Sequence, residues 1–500
     1  MLLTEAAEVR QWLETGTSAV KRARKRLDAI NVFPIADSDT GTNLYLTLQE
    51  GNRAIAKLPT NATHKEVVAA FARGALLGAR GNSGVIVSAY LGEFLERVDA
   101  AGGLSVVGAE DIAAALDAAA EAAYGAVGSP VEGTILTVGR AAATAALEVS
   151  RKGVAREGTI VAAVVGARAA LARTNIDLPS AREAGVVDAG AAGLVLQLEM
   201  LAETLGGPDV LSAIDEVEWE VGGHVHDHAA ARASVPIGTY EVMFVASSKS
   251  DLRRAVTSRL EAIGDSVVVT GVHGLWQAHV HTTSPANAVR VAASFRARHV
   301  VVRNIDDHAL DASTGVVALT TCPGLADALA EAGAIVVVVP APSEVTRKEV
   351  RRALRDASGP SAVVVAGEPT LLAAAREVAA KRGRPRLTVL DSSHEAHLLA
   401  AVAAAALATP GEDVVALMED AIRSTAVTQS TGDALDDDVD RLVTERTELV
   451  TLILGRTVDP GVAEAVRLSV AATAPGADVN VFDGNQAWPP IYVGVESAPA

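Results

Sequence analysis

The chain has 500 residues, enough for about three domains of ordinary size. Hydrophobic residues make up 49% of the chain and charged residues 21%, a composition that excludes a largely disordered protein. The net charge of −18 disfavours binding to nucleic acid or anionic lipid, so that an anion site would need local donors or metal ions.

Targeting and redox signals point to the cytoplasm. The single cysteine, Cys322, excludes an internal disulfide framework and is typical of a reducing compartment. The N-terminal stretch MLLTEAAEVRQWLETG carries acids early and lacks the pattern of a secretion signal. Apolar runs such as GAIVVVVPAP are shorter than the ~18–20 residues that cross a bilayer. We therefore expect a cytoplasmic protein without a membrane span.

The periodicity of apolar residues divides the chain into four parts. Residues 1–205 show helical spacing almost throughout and predict an all-α domain of about eight helices. Residues 206–236 are polar and include HVHDH, which predicts an exposed, histidine-containing linker. Residues 237–310 mix short alternating strands with helices and predict a small α/β domain. Residues 315–500 alternate apolar strands with helices and predict an α/β C-terminal domain that contains a parallel sheet.

Four glycine-containing loops of the helical part each lead directly into a helix: DSDTGTN (37–43), GARGNSG (78–84), EGT (132–134) and DAGAAG (188–193). A helix N-terminus offers unpaired N–H groups and the positive end of a dipole, and glycine allows an anion close to the backbone. Each loop taken alone is better explained as an ordinary helix cap. In an antiparallel helical barrel, however, alternate loops share one end and can surround a single ligand.

Asp37 and Asp39 lie two residues apart at the first of these loops. Two ionised carboxylates at this spacing repel each other, and a bound cation relieves that repulsion. Hard oxygen ligands favour magnesium, which also binds substrate phosphates, and Asn31 or Asp188 can complete the coordination shell. The alternative is a capped helix with two solvated acids.

Four motifs in fixed order carry a resemblance to a known family: NVFPIADSDTGTNLYLTLQEG, GALLGARGNSGVIVS, VEGTILTVGRAAATAA and EAGVVDAGAAGLVLQLEML. Together they resemble the ATP-binding L domain of dihydroxyacetone kinases, and most closely the version at the front of the catalytic protein of fatty acid kinase. Later stretches, including YEVMFV and IGDSVVVTGVHGLWQAHVHTTSPANAV, extend the resemblance over nearly the whole chain. It implies an N-terminal eight-helix barrel followed by α/β middle and C-terminal domains, with ATP and two magnesium ions at one end of the barrel.

Residue by residue, the resemblance implies that Asp37 and Asp39 are the magnesium ligands on which catalysis depends, and position suggests Asn31 as a third ligand. It implies nucleotide contacts at the residues that begin the four helices: Thr40, Thr42, Asn43, Gly81, Asn82, Ser83, Gly133, Thr134, Asp188 and Gly190.

The chain also departs from the family pattern. Ser38 stands between the two acids where the family usually has glycine, and Ala191 and Ala192 replace a common Gly-Gln pair. The glycine- and asparagine-rich motifs expected after the C-terminal strands are absent, and VVVVPAPSEVT and SAVVVAGEPTLLAAA stand in their places.

The middle domain resembles one that carries a Cys-His-His zinc site. His279 and His281 match this site and share one face of a predicted strand, whereas Glu241 occupies the cysteine position. A Glu-His-His zinc site is one interpretation, because glutamate ligates zinc through oxygen. Loss of the metal is the other.

The resemblance implies phosphoryl transfer from ATP to a fatty acid carboxylate presented by a separate acyl-binding protein. A carboxylate is already ionised at neutral pH and needs no general base, which agrees with the lack of an evident catalytic triad. The alternatives are a kinase of dihydroxyacetone (glycerone) type and a non-catalytic, nucleotide-sensing scaffold. A homodimer is one assembly that this interpretation allows.

Overall fold

The computed structural model describes residues 6–35, 38–212, 215, 217–220, 240–305, 314–339, 347–356, 361–380, 386–409 and 411–498. Asp37 and most of the predicted linker, including residues 224–228, lie outside these ranges. The chain forms two compact units, Met1–Pro236 with Ser247–Val280, and Ile237–Ala246 with His281–Ala500.

The first unit begins with a series of helices. Their bounds are α1 Ala7–Ala29, α2 Thr40–Ile55, α3 His64–Gly78, α4 Gly81–Ala100, α5 Ala109–Ala126, α6 Ile135–Ser150, α7 Arg156–Asp177, α8 Pro179–Ala184 and α9 Ala189–Gly206. Helix α3 shows why these segments are helical. Thr63 and Glu66 form a reciprocal capping box at its start, and apolar residues on one face, such as Phe71, are buried.

The long helices pack in chain order, each against the next, and α9 packs against α7 and α1. Small residues permit close approach: a Cβ at Gly51 would lie 2.5 Å from the Phe71 ring. Trp12 and Phe94 meet edge to face with ring centroids 5.3 Å apart. The predicted all-α character of the N-terminal region is confirmed, whereas the eight-helix barrel stays a prediction.

Among the described residues, one helix, α7, is long and apolar enough to cross a membrane by length and composition alone. No long uninterrupted apolar run marks this helix in the sequence, because Arg168 and Arg173 divide its apolar residues. Ile160, Val164 and Leu171 of this helix are buried, as in the core helix of a folded domain. The cytoplasmic location stays a prediction.

The first unit also contains helix α10 and a hairpin. Their bounds are α10 Arg253–Glu261, β2 Asp265–Val272 and β3 Leu275–Thr282, the last residues of β3 falling in the second unit. Strand β2 packs against α4, and the Gln277 side chain donates a hydrogen bond to the Ala79 carbonyl oxygen at 3.1 Å. This part of the predicted middle domain therefore packs with the helices.

The second unit is α/β. Its strands are β1 Tyr240–Ser247, β4 Arg298–Asn304, β5 Thr314–Thr320, β6 Ile335–Val338, β7 Ser361–Ala366, β8 Arg386–Val389, β9 Thr425–Ser430, β10 Thr447–Leu454, β11 Asp478–Asp483 and β12 Ile491–Ser497. Its helices are α11 Pro285–Ser294, α12 Ala326–Glu331, α13 Arg347–Asp356, α14 Pro369–Ala379, α15 Glu395–Ala406, α16 Val414–Ser424, α17 Leu435–Asp440 and α18 Val462–Thr473.

The strands form two sheets. Within the second unit, one sheet has the order β1-β4-β6-β5-β7-β8, and a four-stranded sheet has the order β11-β10-β12-β9. Strands β6, β5, β7 and β8 run parallel, as the repeated strand–helix pattern predicts, and their side chains are largely buried. Strand β4 joins this parallel group by antiparallel pairing with β6, with Val301 opposite Val337. The α/β character of the region after the helical part is confirmed.

Candidate functional site

The start of α2 is held by a carboxylate from α1. Asp28 accepts two hydrogen bonds from Thr42, one from the backbone amide and one from the hydroxyl, each at 2.8 Å. Asp39 is the N-cap residue, but its side chain accepts from the Asn43 amide group at 2.7 Å rather than from the helix backbone. Asp39 therefore does not act as a conventional side-chain cap, and Asp28 takes part of that role.

The start of α4 lies directly beside that of α2. A Cβ at Gly81 would lie 2.6 Å from Asn43 Nδ2, and one at Gly84 would lie 2.5 Å from Thr47 Oγ1. Gly81 also has a φ of 57°, in the left-handed region that favours glycine. Both requirements explain glycine in the motif GARGNSG.

The starts of α6 and α9 complete the arrangement. A Cβ at Gly190 would lie 3.4 Å from both Ser83 Oγ and Asp188 Oδ1 and 3.7 Å from Ile135 Cβ. Asp188 caps α9 by accepting from the Ala191 amide at 2.7 Å. The first residues of α4, α6 and α9 thus meet at one point, and α2 adjoins α4.

Burial governs the electrostatics of this region. It raises the pKa of Asp188 to about 6, while hydrogen bonds from the Ala191 and Ile135 amides act in the opposite direction. Burial also raises the pKa of Asp28; the hydrogen bonds from Thr42 lower it, and the nearby charge of Asp39 raises it. Burial thus disfavours the ionised form of both carboxyl groups, and the backbone and hydroxyl hydrogen bonds offset part of this effect.

A cavity of about 440 Å³ opens at the meeting point. Its lining residues are Phe33, Pro34, Asn82, Ser83, Ile86, Val127, Ser129, Val131, Thr134, Ile135, Leu136, Asp188, Gly190, Glu261, Gly264, Asp265, Ser266, Val267 and Val268. The volume is within the range of about 300–1,000 Å³ found for small-molecule sites. Asn82 Oδ1 is buried and receives no hydrogen bond from any described residue, so a polar ligand would satisfy it. The cavity therefore has the size and a polar group suited to a small polar ligand.

The predicted site residues take different positions around this cavity. Asn82, Ser83, Thr134, Asp188 and Gly190 line it. Thr40, Thr42, Asn43 and Gly81 lie behind this lining, at the adjoining starts of α2 and α4. Gly133, with a φ of 78°, packs against the backbone of Leu178, and the buried Asn31 lies just beyond the end of α1. Their roles stay predictions, and Asp37 lies outside the described residues.

Two features of the site were not predicted from the sequence. One is Asp28, which lies in the last turn of α1 and outside the quoted motifs. The sequence feature that could have indicated Asp28 is its position three residues before Asn31. The cavity wall formed by residues 261–268 belongs to the part predicted as a separate middle domain. Sequence patterns do not indicate which distant segments pack together.

The predicted zinc residues come together but do not fit a zinc ion as arranged. Ligand atoms of Glu241, His279 and His281 lie within 4.8 Å of one another. The Arg303 guanidinium, however, forms an ion pair with the Glu241 carboxylate, and these side chains are only 14% and 6% exposed. Glu241 and Arg303 lie directly opposite each other on β1 and β4. A divalent cation at Glu241 would face the half-buried positive charge of Arg303, so the interpretation in which the metal is lost is favoured.

Comparison with known proteins agrees with the motifs. Residues 34–203 match the DAK2 domain family, residues 238–309 match the middle domain of FakA-like fatty acid kinase proteins, and residues 424–496 match their C-terminal domain. The domain content is that of the FakA-like fatty acid kinase family. The resemblance found in the sequence is therefore confirmed.

Relatives of this FakA-like chain include protein YloV of Bacillus subtilis (strain 168). It is 31% identical over 356 residues, which cover 65% of this chain and 62% of YloV. An uncharacterised protein of Staphylococcus aureus (strain USA300) is 33% identical over 266 residues, covering 52% of this chain and 48% of that protein. The chain thus matches about half to three-fifths of the length of these curated relatives.

Among solved structures, the chain is similar to the dihydroxyacetone kinase from C. freundii in complex with AMP-PNP and Mg2+. The identity is 20%, the TM-score is 0.30, and the match covers 39% of this chain and 33% of that one. The native form of the same kinase matches with 23% identity and the same TM-score, over 40% and 35% of the two chains. Scores this low carry no argument about the site.

Proposed function

We propose that this chain is a kinase that transfers a phosphoryl group from ATP to the carboxylate of a fatty acid, which a separate acyl-binding protein presents, to give an acyl phosphate. The observation that carries the proposal is the meeting of the α4, α6 and α9 starts at one cavity, with the α2 start adjoining. Helix starts bind phosphates through their amide groups and dipoles. The match to the DAK2 domain family supports the same chemistry.

The proposed roles follow from residue type and position. Asp37 and Asp39 would hold magnesium, with Asn31 as a further ligand, and the ion would supply charge neutralisation at the phosphates. Asn82, Ser83 and Thr134 contact the phosphates, and Asp188 and Gly190 shape the same end of the cavity. The nucleotide contacts proposed for Thr40, Thr42, Asn43, Gly81 and Gly133 come from the resemblance, because these residues are not part of the cavity lining.

The acceptor chemistry needs no base from the protein. A fatty acid carboxylate has a pKa of about 4–5, like that of glutamate, and is ionised at neutral pH. One of its oxygens attacks the γ-phosphorus, the bond from that phosphorus to the bridging oxygen breaks, and ADP leaves. The chain's contribution is positioning, charge neutralisation and exclusion of water.

The domain organisation and the location of the protein are part of the same proposal. The domains are a helical ATP-binding domain at 1–205, a linker at 206–236, a middle domain at 237–310 and a partner-binding domain at 315–500. The proposed location is the cytoplasm. The matches at 238–309 and 424–496 support the last two domain assignments. Zinc has no place in this proposal, because Arg303 already neutralises Glu241.

The test measures magnesium-dependent ATP turnover by the full chain with an acyl-loaded fatty-acid-binding protein, with the unloaded protein, and with free dihydroxyacetone. Turnover only with the loaded protein supports the proposal. Turnover with free dihydroxyacetone indicates a glycerone-type kinase, and ATP binding without turnover under every condition indicates a nucleotide-sensing scaffold.

Variants at the acids sharpen this test. Asp37→Ala and Asp39→Ala should each abolish turnover while the cooperative unfolding transition is retained. Asp436→Ala removes an exposed acid from the start of α17 and is the matched control, expected to turn over like the wild type. Normal activity in either Asp37→Ala or Asp39→Ala would refute the magnesium assignment.

A further inference from the structure

We infer that residues 261–268, where α10 leads into β2, form the wall that receives the purine base, and that Ser266 is a positioning residue of this wall. The inference rests on the proposed function, because it assumes that a nucleotide occupies the cavity. Glu261, Gly264, Asp265, Ser266, Val267 and Val268 all line the cavity and lie beyond the 34–203 segment that matches the DAK2 domain family.

Backbone pairing ties this wall to the loop between α5 and α6. Val127 and Val268 form an isolated antiparallel bridge, and the Gly128 amide donates a hydrogen bond to the Val267 carbonyl oxygen at 2.9 Å. The same loop continues to Thr134, whose hydroxyl caps α6. This pairing therefore anchors residues 267–268 of the wall against residues 127–128 at the beginning of that loop.

The two ends of the cavity differ in polarity, which orients a nucleotide. Asn82, Ser83 and Asp188 lie at the helix starts, where amide groups favour phosphate. The lining that includes Val127, Val131, Val267 and Val268 is apolar and suits the faces of a flat base.

Glu261 and Asp265 add charge to this wall. Both are exposed acids that line the cavity, and they repel polyphosphate from it. Their carboxylates accept hydrogen bonds from the exocyclic amino group of adenine and disfavour the corresponding carbonyl oxygen of guanine. The wall therefore selects adenine over guanine.

Ser266 has a backbone conformation that is unfavourable for residues other than glycine. Its φ is 54°, in the left-handed region, and its carbonyl oxygen lies 3.3 Å from His279 Nδ1 on the neighbouring strand. Residues held in such conformations cluster at functional sites. A β-branched residue at this position would push the backbone out of the left-handed region and displace the wall.

The experiment measures binding of ATP and of inorganic tripolyphosphate, each with magnesium, to the full chain by calorimetry without any acyl acceptor. Ser266→Val should raise the Kd for ATP about tenfold, equivalent to ~1.4 kcal/mol, and leave the Kd for tripolyphosphate unchanged. Ser266→Gly keeps the backbone conformation and should bind both like the wild type. His273→Val is the matched control. The backbone of His273 is also in the left-handed region, with a φ of 49°, but His273 follows the other end of β2 and does not line the cavity.

Substitutions of the two acids test the preference for adenine separately. Glu261→Gln and Asp265→Asn should each narrow the preference for ATP over GTP several-fold, because an amide donates to the guanine carbonyl as well as accepting from an amino group. An unchanged preference in both variants would overturn the adenine assignment.

Other outcomes separate this inference from the proposed function. If His273→Val weakens ATP binding as much as Ser266→Val, or if Ser266→Val weakens tripolyphosphate equally, the wall does not contact the base and the inference fails while the kinase proposal stands. If the wild type binds neither ATP nor tripolyphosphate, the proposed function fails and this inference fails with it.

Discussion

Asp28 holds Thr42 through both of its carboxylate oxygens, one on the backbone amide and one on the hydroxyl, each at 2.8 Å. This bidentate contact fixes the end of α1 against the start of α2. Close packing reinforces it, because a Cβ at Gly41 would lie 3.0 Å from Asp28 Oδ1. The geometry of the predicted magnesium loop therefore depends on a residue outside that loop.

Removing this contact should loosen the start of α2. Asp28→Ala should lower the free energy of unfolding by about 1–2 kcal/mol, because it removes hydrogen bonds to a charged group and part of a helix cap. Urea unfolding of Asp28→Ala, Thr42→Val and the double variant should show coupling of about 1 kcal/mol. Strictly additive effects would show that the two residues do not act together.

Ser38 occupies a position suited to glycine. It lies between the two predicted magnesium ligands with a φ of 56°, and the left-handed conformation costs a non-glycine residue about 1–2 kcal/mol. Ser38→Gly should therefore leave the free energy of unfolding unchanged or raise it by up to about 1 kcal/mol. The greater conformational freedom of glycine in the unfolded state offsets part of the strain that the substitution relieves.

Ser38→Val should instead lose stability in urea unfolding, because a β-branched residue is poorly accommodated at positive φ. The same two substitutions at the exposed Ser250, which is not left-handed, are the control and should not show this contrast. Equal stability of Ser38→Gly and Ser38→Val would contradict the strain argument.

The Glu241–Arg303 ion pair predicts a protein without zinc. Purified wild type should contain substoichiometric zinc by elemental analysis, since the Arg303 guanidinium neutralises the one acid of the cluster. Glu241→Cys combined with Arg303→Met removes that charge and supplies a thiolate, and should bind zinc. Adding His279→Ala to the double variant should abolish this binding. One tightly bound zinc per wild-type chain would refute the prediction.

A buried acid in the second unit should make stability depend on pH. Burial raises the pKa of Glu395 from 4.5 to about 7, against hydrogen bonds from Thr320 and Thr321 that lower it. Because the folded-state pKa lies above the unfolded value, the folded protein binds more protons in this window. The contribution of Glu395 to the free energy of unfolding is fully present below about pH 4.5 and is lost as the pH rises through 7.

The expected loss between pH 4.5 and 7 is up to about 3 kcal/mol for this group. Glu395→Gln stays neutral and should flatten the pH dependence of the urea midpoint between pH 5 and 8. Glu464→Gln, at an exposed glutamate of α18, should keep the wild-type slope. An unaltered slope in Glu395→Gln would show that Glu395 is ionised throughout.

Local patterns predicted the classes of structure well because their causes are local. Apolar residues at helical spacing give the helices of residues 7–206, and buried β-branched runs give the parallel strands, such as Val363–Val365 in β7. The order of the four loop motifs was enough to identify the family. The residues assigned to magnesium and ATP stay predictions, and Asp37 lies outside the described part of the chain.

Charge partners and packing neighbours could not be predicted in the same way. Glu241 and Arg303 are 62 residues apart, and only strand pairing places them opposite each other. Likewise, nothing near Gly128 in the sequence indicates that its amide bonds to Val267. Contacts of this kind depend on which surfaces meet, and a single sequence does not encode that in any local pattern.

The linear chain was sufficient to establish the helical and α/β regions, the four glycine-bearing helix starts and the family, since periodicity and motif order are properties of the sequence. The folded structure was needed to establish that the starts of α4, α6 and α9 share one cavity, that β2 forms part of its wall, and that Arg303 neutralises Glu241. The physical reason is that burial and charge pairing arise when distant segments exclude water together.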